Sequence, residues 1–161
     1  YFVRLRCSPV VTGFDFVGAK QALPSAALSK IFKSRAVDAV IFCPSNPYVS
    51  IAPILAVPGI SDFLSRAGIP IIVVSPIVGG QAIKGPAAKM MRELGAPASA
   101  LSVAQHYRGL ATEMVIDHTD ADLAASIEEL GMKVLVTDTV MNTTADKVRL
   151  ANDVLNFAGP R

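Results

Sequence analysis

The chain has 161 residues, 52% of them hydrophobic and 17% charged, with a formal net charge of +2. That length suits one domain with a real core, and so small a charge, spread along the sequence, gives no reason to invoke nucleic acid or a membrane surface. Cys7 and Cys43 have no His nearby, which argues against a zinc or disulfide framework and reads as reduced core residues of a cytoplasmic protein.

The opening "YFVRLRC" at 1–7 alternates apolar and basic residues with a strand's period of two, and "FDFVG" at 14–18 is a second short candidate. Both are expected as edge strands around a turn at Thr12-Gly13, a small β extension at the N-terminal end. A start in mid-strand without an initiator Met creates the expectation that about one further domain-half precedes Tyr1. "PSAALSKIFKSRA" at 24–36 has helical spacing, with Pro24 near its start. "DAVIFC" at 38–43 and "PIIVVS" at 70–75 are continuous apolar runs, the pattern of strands buried on both faces. Between them a helix is expected from about Ser50 to Arg66, broken at Pro58-Gly59. "GPAAKMMRELG" at 85–95 is a helix with Pro86 in its first turn and Gly95 as its stop, and "SALSVAQHYRG" is another. "EMVIDH" and "KVLVTDTV" read as strands flanking the helix "ADLAASIEELG". The last element, "TADKVRLANDVLNFAG", is amphipathic, with Val148, Leu150, Ala151, Val154 and Leu155 expected on one face. Strands alternating with crossover helices predict a single α/β domain over 1–161, with a doubly wound, Rossmann-like parallel sheet and helices on both faces.

Ligands of such sheets lie outside the carboxyl ends of the strands, at the switch point. The residues there are Ser45, Asn46, Pro47 and Ser50 after the first strand, and Ser75, Pro76, Gly79 and Gly80, leading through Lys84 and Gly85, after the second. Thr137, Asp138 and Thr139 follow the last. In "SPIVGGQAIKG" the glycines let backbone N–H groups approach a phosphate, although Gly-Gly also serves a plain turn. Asn46 precedes Pro47 and is therefore extended, and Ser50 can cap a helix starting at Ile51. Asn46 is expected to face a ligand, the alternative being turn and cap hydrogen bonds. His106 reads as a surface or packing residue. His118 has Asp117 and Asp120 nearby, but no second His or Cys to complete a metal set. Asp138 either binds magnesium or braces its loop. No nucleophile–base spacing stands out, so catalytic residues are not assigned. The absence of G-x-G-x-x-G followed by an acidic residue disfavours a dinucleotide oxidoreductase.

"CPSNPYVSIAPILAVPGI" at 43–60, "SPIVGGQAIKGPAAKMM" at 75–91, and "VTDTVM" with "DKVRLA" within 136–151 together resemble the carboxyl-terminal half of the 2-phospho-L-lactate transferase family. The resemblance covers essentially the whole chain. It implies a transferase of coenzyme F-420 biosynthesis, moving a phospholactyl-type group (2-phospho-L-lactate, or a phosphoenolpyruvate or phosphoglycerate equivalent). The donor would be guanosine-diphosphate-activated, the acceptor the hydroxyl of the deazaflavin Fo, and GMP the leaving product, with magnesium required. The metal ligands would lie in the preceding half, so that the fragment alone is expected to be inactive. Ser45, Asn46, Pro47, Ser50, Ser75, Gly79, Gly80 and Lys84 would line the donor pocket. No nucleic-acid or membrane partner is implied, and a homodimer is left open. A reading from another class is a non-catalytic regulator that binds a nucleotide or nucleotide sugar, which would not need to hold a deazaflavin ring.

Overall fold

The computed structural model describes residues 1–34 and 36–159; Arg35, inside the helix expected over 24–36, lies outside them. Four parallel strands form the sheet: β1 (Val40–Phe42), β2 (Ile71–Val74), β5 (Glu113–Ile116) and β6 (Lys133–Val136), in the order β1-β2-β5-β6. The register sets Val40 beside Ile71, Ile72 beside Glu113, and Glu113 beside Lys133. Side chains alternate across the sheet with period two. Ile71, Val73, Met114 and Ile116 face the larger core, and Ile72, Val74 and Val115 face the smaller one.

The larger core is closed by α3 (Ile60–Arg66), α4 (Ala87–Glu93), α5 (Ala100–His106) and α6 (Ala124–Glu128), with Leu28 and Phe32 of α1 (Ala26–Ser34) packed against it. The smaller core lies under α7 (Thr144–Ala158), through Leu150 and Val154. Helices therefore cover both faces of a parallel sheet, as the alternating pattern predicts. The strand order runs in one direction, so no switch point falls within these four strands. No single described helix is long and apolar enough to cross a membrane, and the apolar pair Pro47–Leu55 and Ile60–Arg66 is bent by 87°. That bend falls at the expected Pro58-Gly59 break, where Gly59 takes φ +86°.

Several expectations are corrected. Residues 1–7 and 14–18 form no strand: Arg6 and Cys7 adopt left-handed φ values of 45° and 59°, which break an extended run, and no neighbouring strand pairs with them. The only other sheet among the described residues is an antiparallel hairpin, β3 (Ile77–Val78) with β4 (Gln81–Ala82). β1 is not buried on both faces; it is the sheet's edge, and Ile41 is 37% exposed. Cys43 is exposed and Cys7 half-buried, so neither is a core residue. On α7, Val148, Ala151 and Leu155 are exposed, and the packed face is Leu150, Val154 and Phe157.

Candidate functional site at the carboxyl ends of the strands

A cleft of about 190 Å³ opens where the chain leaves β1, β2 and β6. Pro44 and Asn46 line it from the β1 end, Ser75, Pro76 and Val78 from the β2 end, and Thr139, Val140 and Met141 from the β6 end. Ile83, Lys84 and Ala87 close one side, and Lys147 of α7 reaches it from the other. Larger cavities exist, including one of about 450 Å³ beside Phe32, Phe63 and Arg66. That one lies between α1 and α3, at the amino ends of the strands, away from the polar loops where parallel sheets bind ligands.

The β1 loop is built around Asn46. Held extended at φ −63° and ψ 120° ahead of Pro47, it caps the following turn of π-helix, Pro47–Ile51, which runs on into α2 (Ala52–Leu55). Its Oδ1 accepts from the backbone N–H groups of Tyr48 (2.9 Å) and Val49 (3.3 Å), while Nδ2 donates to Met90 Sδ at 3.2 Å. Thioether sulfur is a weak acceptor, so this N–H₂ keeps most of its donor capacity. Ser50 is therefore not the cap: it is exposed inside the π turn, its N–H donating to the Asn46 carbonyl. Pro47 is buried as the first residue of that turn, where its missing N–H is not needed, and Ser45 flanks the cleft without lining it.

The glycine-rich loop is a hairpin, not an open anion cradle. Gly79 and Gly80, at φ +55° and +76°, make the tight turn between β3 and β4 that left-handed residues favour. The Gly79 N–H donates to both carboxylate oxygens of Asp120 (3.2 and 3.1 Å), and Arg92 Nη2 donates to the Gly80 carbonyl at 2.8 Å. Neither glycine lines the cleft. Ser75 does, but its hydroxyl is committed locally, donating to the Ile77 carbonyl (2.8 Å) and accepting from the Ile77 N–H (3.1 Å).

Of the residues after β6, Thr139 lines the cleft, while Asp138 is exposed and outside it. The Thr139 N–H and hydroxyl donate to Asp117 Oδ2 at 2.8 and 3.2 Å. The loop is thus braced by Asp117 rather than Asp138. Burial works to raise the Asp117 carboxyl, but the donors from Thr119 and Thr139 outweigh it and hold the group below the usual carboxylate range. Asp120, with fewer donors, is pushed up by its burial. Thr137 donates to Asp153 Oδ2 at 2.9 Å and so faces α7. His106 is exposed and meets the rings of Tyr48 and Tyr107 edge-on, a surface residue with packing contacts.

Lys147 is the charged lining residue that sequence reasoning missed. It sits one turn into α7, three residues before Leu150 at the edge of the apolar stripe, where a lysine reads as part of the solvated flank. Lys84 and Lys147 are both exposed, and neither pairs with a carboxylate among the described residues. The cleft thus combines two uncompensated cations, an underused carboxamide and an apolar floor, a set suited to an anionic group carried on an organic body. A magnesium site is another matter. Among the described residues no three His, Cys, Asp or Glu side chains converge, and Asp117, which braces the lining residue Thr139, has both oxygens occupied. These residues do not fit the metal that the resemblance implies.

Comparison with known proteins gives the chain's relatives. Residues 7–155 match the family model described as "2-phospho-L-lactate transferase CofD". The chain is 35% identical over 159 residues to a phosphoenolpyruvate transferase of Streptomyces griseus, covering 98% of this chain and 49% of that protein. It is 42% identical over 122 residues to a 2-phospho-L-lactate transferase of Methanocaldococcus jannaschii, covering 76% and 38%. Over 155 residues it is 38% identical to the 2-phospho-L-lactate transferase of Methanothermobacter thermautotrophicus, covering 96% and 48%. The chain spans about half the length of such relatives or less. With nearly all of its residues matched in this way, from the turns before α1 to the body of α7, it belongs to the 2-phospho-L-lactate transferase CofD family.

Proposed function

We propose that the full-length protein is a cytoplasmic transferase of coenzyme F-420 biosynthesis. It moves a 2-phospho-L-lactyl or phosphoenolpyruvyl-type group from a guanosine-diphosphate-activated donor to the hydroxyl of Fo, with release of GMP. The observation that carries this reading is the cleft at the ends of β1, β2 and β6, where Lys84 and Lys147 stand on opposite sides with no carboxylate partner among the described residues. Attack of a hydroxyl on phosphorus in a diphosphate asks little covalent chemistry of the protein. It asks for positioning and for neutralisation of charge on the phosphoryl oxygens. Two lysines supply part of that charge, and Asn46 Nδ2 supplies a fixed donor. Magnesium, which such a transfer uses, would be held by residues of the full-length protein outside 1–161.

Mixing the full-length protein with Fo, magnesium and the activated donor should yield GMP and a phosphodiester-linked deazaflavin in equal amounts, separable by chromatography. Binding of the nucleotide without turnover would favour the regulator reading instead. Lys84→Ala and Lys147→Ala should each weaken donor binding about three- to tenfold at low salt, and the double variant should flatten its salt dependence, since Debye screening acts on those charges. Unchanged affinity in the double variant would return both lysines to the solvated surface.

A further inference from the structure

We propose that Asp117 and Asp120, neither of which lines the cleft, are positioning residues that set the distance between its two walls. This rests on the donor-pocket reading above. One wall is the hairpin and its continuation, through Val78, Ile83 and Lys84; the other is the loop after β6, through Thr139, Val140 and Met141. Among the described residues no hydrogen bond joins the two directly. Both are tied instead to the turn after β5, which contributes no lining residue. Asp117 accepts from the Thr119 N–H and hydroxyl on Oδ1 (3.0 and 2.8 Å), and from the Thr139 N–H and hydroxyl on Oδ2. Asp120 takes the Gly79 N–H on both oxygens. Between them Thr119 abuts the hairpin, its Cγ2 only 3.1 Å from where a Cβ on Gly79 would lie. Both carboxylates are 6% exposed. Burying two charges three residues apart is costly unless the groups are held by donors, and here every donor from outside the turn comes from one of the two walls.

The two aspartates make different demands, and that provides the test. Asp120 spreads one N–H over two oxygens, so the single oxygen of an asparagine suffices. Asp117 uses each oxygen for a different pair of donors, so an asparagine must turn its N–H₂ towards a backbone N–H. In the full-length protein, with GDP as the probe in titration calorimetry, Asp120→Asn should bind within about twofold of the parent. Asp120→Ala and Asp117→Asn should each bind at least about fivefold more weakly, with the circular dichroism spectrum retained. Restored affinity in Asp120→Asn is what a general destabilisation would not produce. GDP affinity in Asp120→Ala equal to the parent's, or equal losses in Asp120→Asn and Asp120→Ala, would overturn the inference. A parent protein that does not bind GDP would overturn the donor-pocket reading, and this inference with it.

Discussion

Asn46→Ala is expected to lower both the melting temperature and the rate of transfer. From sequence the two effects are alternatives, a ligand contact or a turn tie; the structure gives Asn46 both positions. Its Oδ1 caps the π turn through the Tyr48 and Val49 N–H groups, and losing an N-cap costs about 0.5–2 kcal/mol. For a chain of this size that is a fall of roughly 1–8 °C. Its Nδ2, paired only with Met90 Sδ, is the donor left for a ligand at the cleft. Removing it, and loosening the loop that holds it, should cut transfer to Fo at least about tenfold. Asn46→Ser separates the two effects: a serine still caps, so stability should be largely kept while transfer remains low. Full activity in Asn46→Ser would take the carboxamide out of ligand recognition, and an unchanged melting temperature in Asn46→Ala would contradict the cap.

Leu150→Ala should be the more destabilising substitution. Leu150 is 4% exposed and packs with Val154 onto Ile72, Val74 and Val115, the whole of the smaller core's buried cluster. Truncating a buried leucine costs about 2–5 kcal/mol, a melting shift on the order of 10 °C here. The same helix carries Lys147 to the cleft one turn earlier, so donor binding should weaken as well. Leu155→Ala is the control. It is 59% exposed and should change stability by no more than about 0.5 kcal/mol, although the sequence pattern puts it on the packed face. Equal losses from the two substitutions would contradict the seating of α7.

What the sequence made legible is what periodicity and punctuation encode. β2 is buried at every position, and its continuous apolar run says so; β5 is equally buried although it opens on Glu113. α4 ends at Gly95, which takes the left-handed φ of +83° that its position in the pattern implies. β1 carries the same apolar signature but lies at the edge, because burial depends on a neighbour that a run of residues does not name. The alternation in 1–7 failed for the same reason: period two makes a strand only where another strand pairs with it. For the cap, both Asn46 and Ser50 were competent; the proline directly after Asn46 was the better signal, since proline favours the first helical position. Gly79-Gly80 after the apolar pair Ile77-Val78 was readable as a tight turn, and only the occupied Gly79 N–H removes it as an anion cradle. Asp117 and Asp120 could not be assigned from local sequence. Their decisive partners, Thr139 and Gly79, lie 22 and 41 residues away, and only the sheet brings them together.

Under the proposed function, the nucleotide part of the donor lies at the carboxyl ends of β1, β2 and β6. Amide hydrogen exchange of the full-length protein with and without saturating GDP tests it most directly. The expected result is protection concentrated in residues 44–49, 75–84 and 139–147, with the cleft between α1 and α3 unchanged. Protection centred on Phe32, Phe63 and Arg66, with the loops after β1, β2 and β6 unaffected, would contradict it.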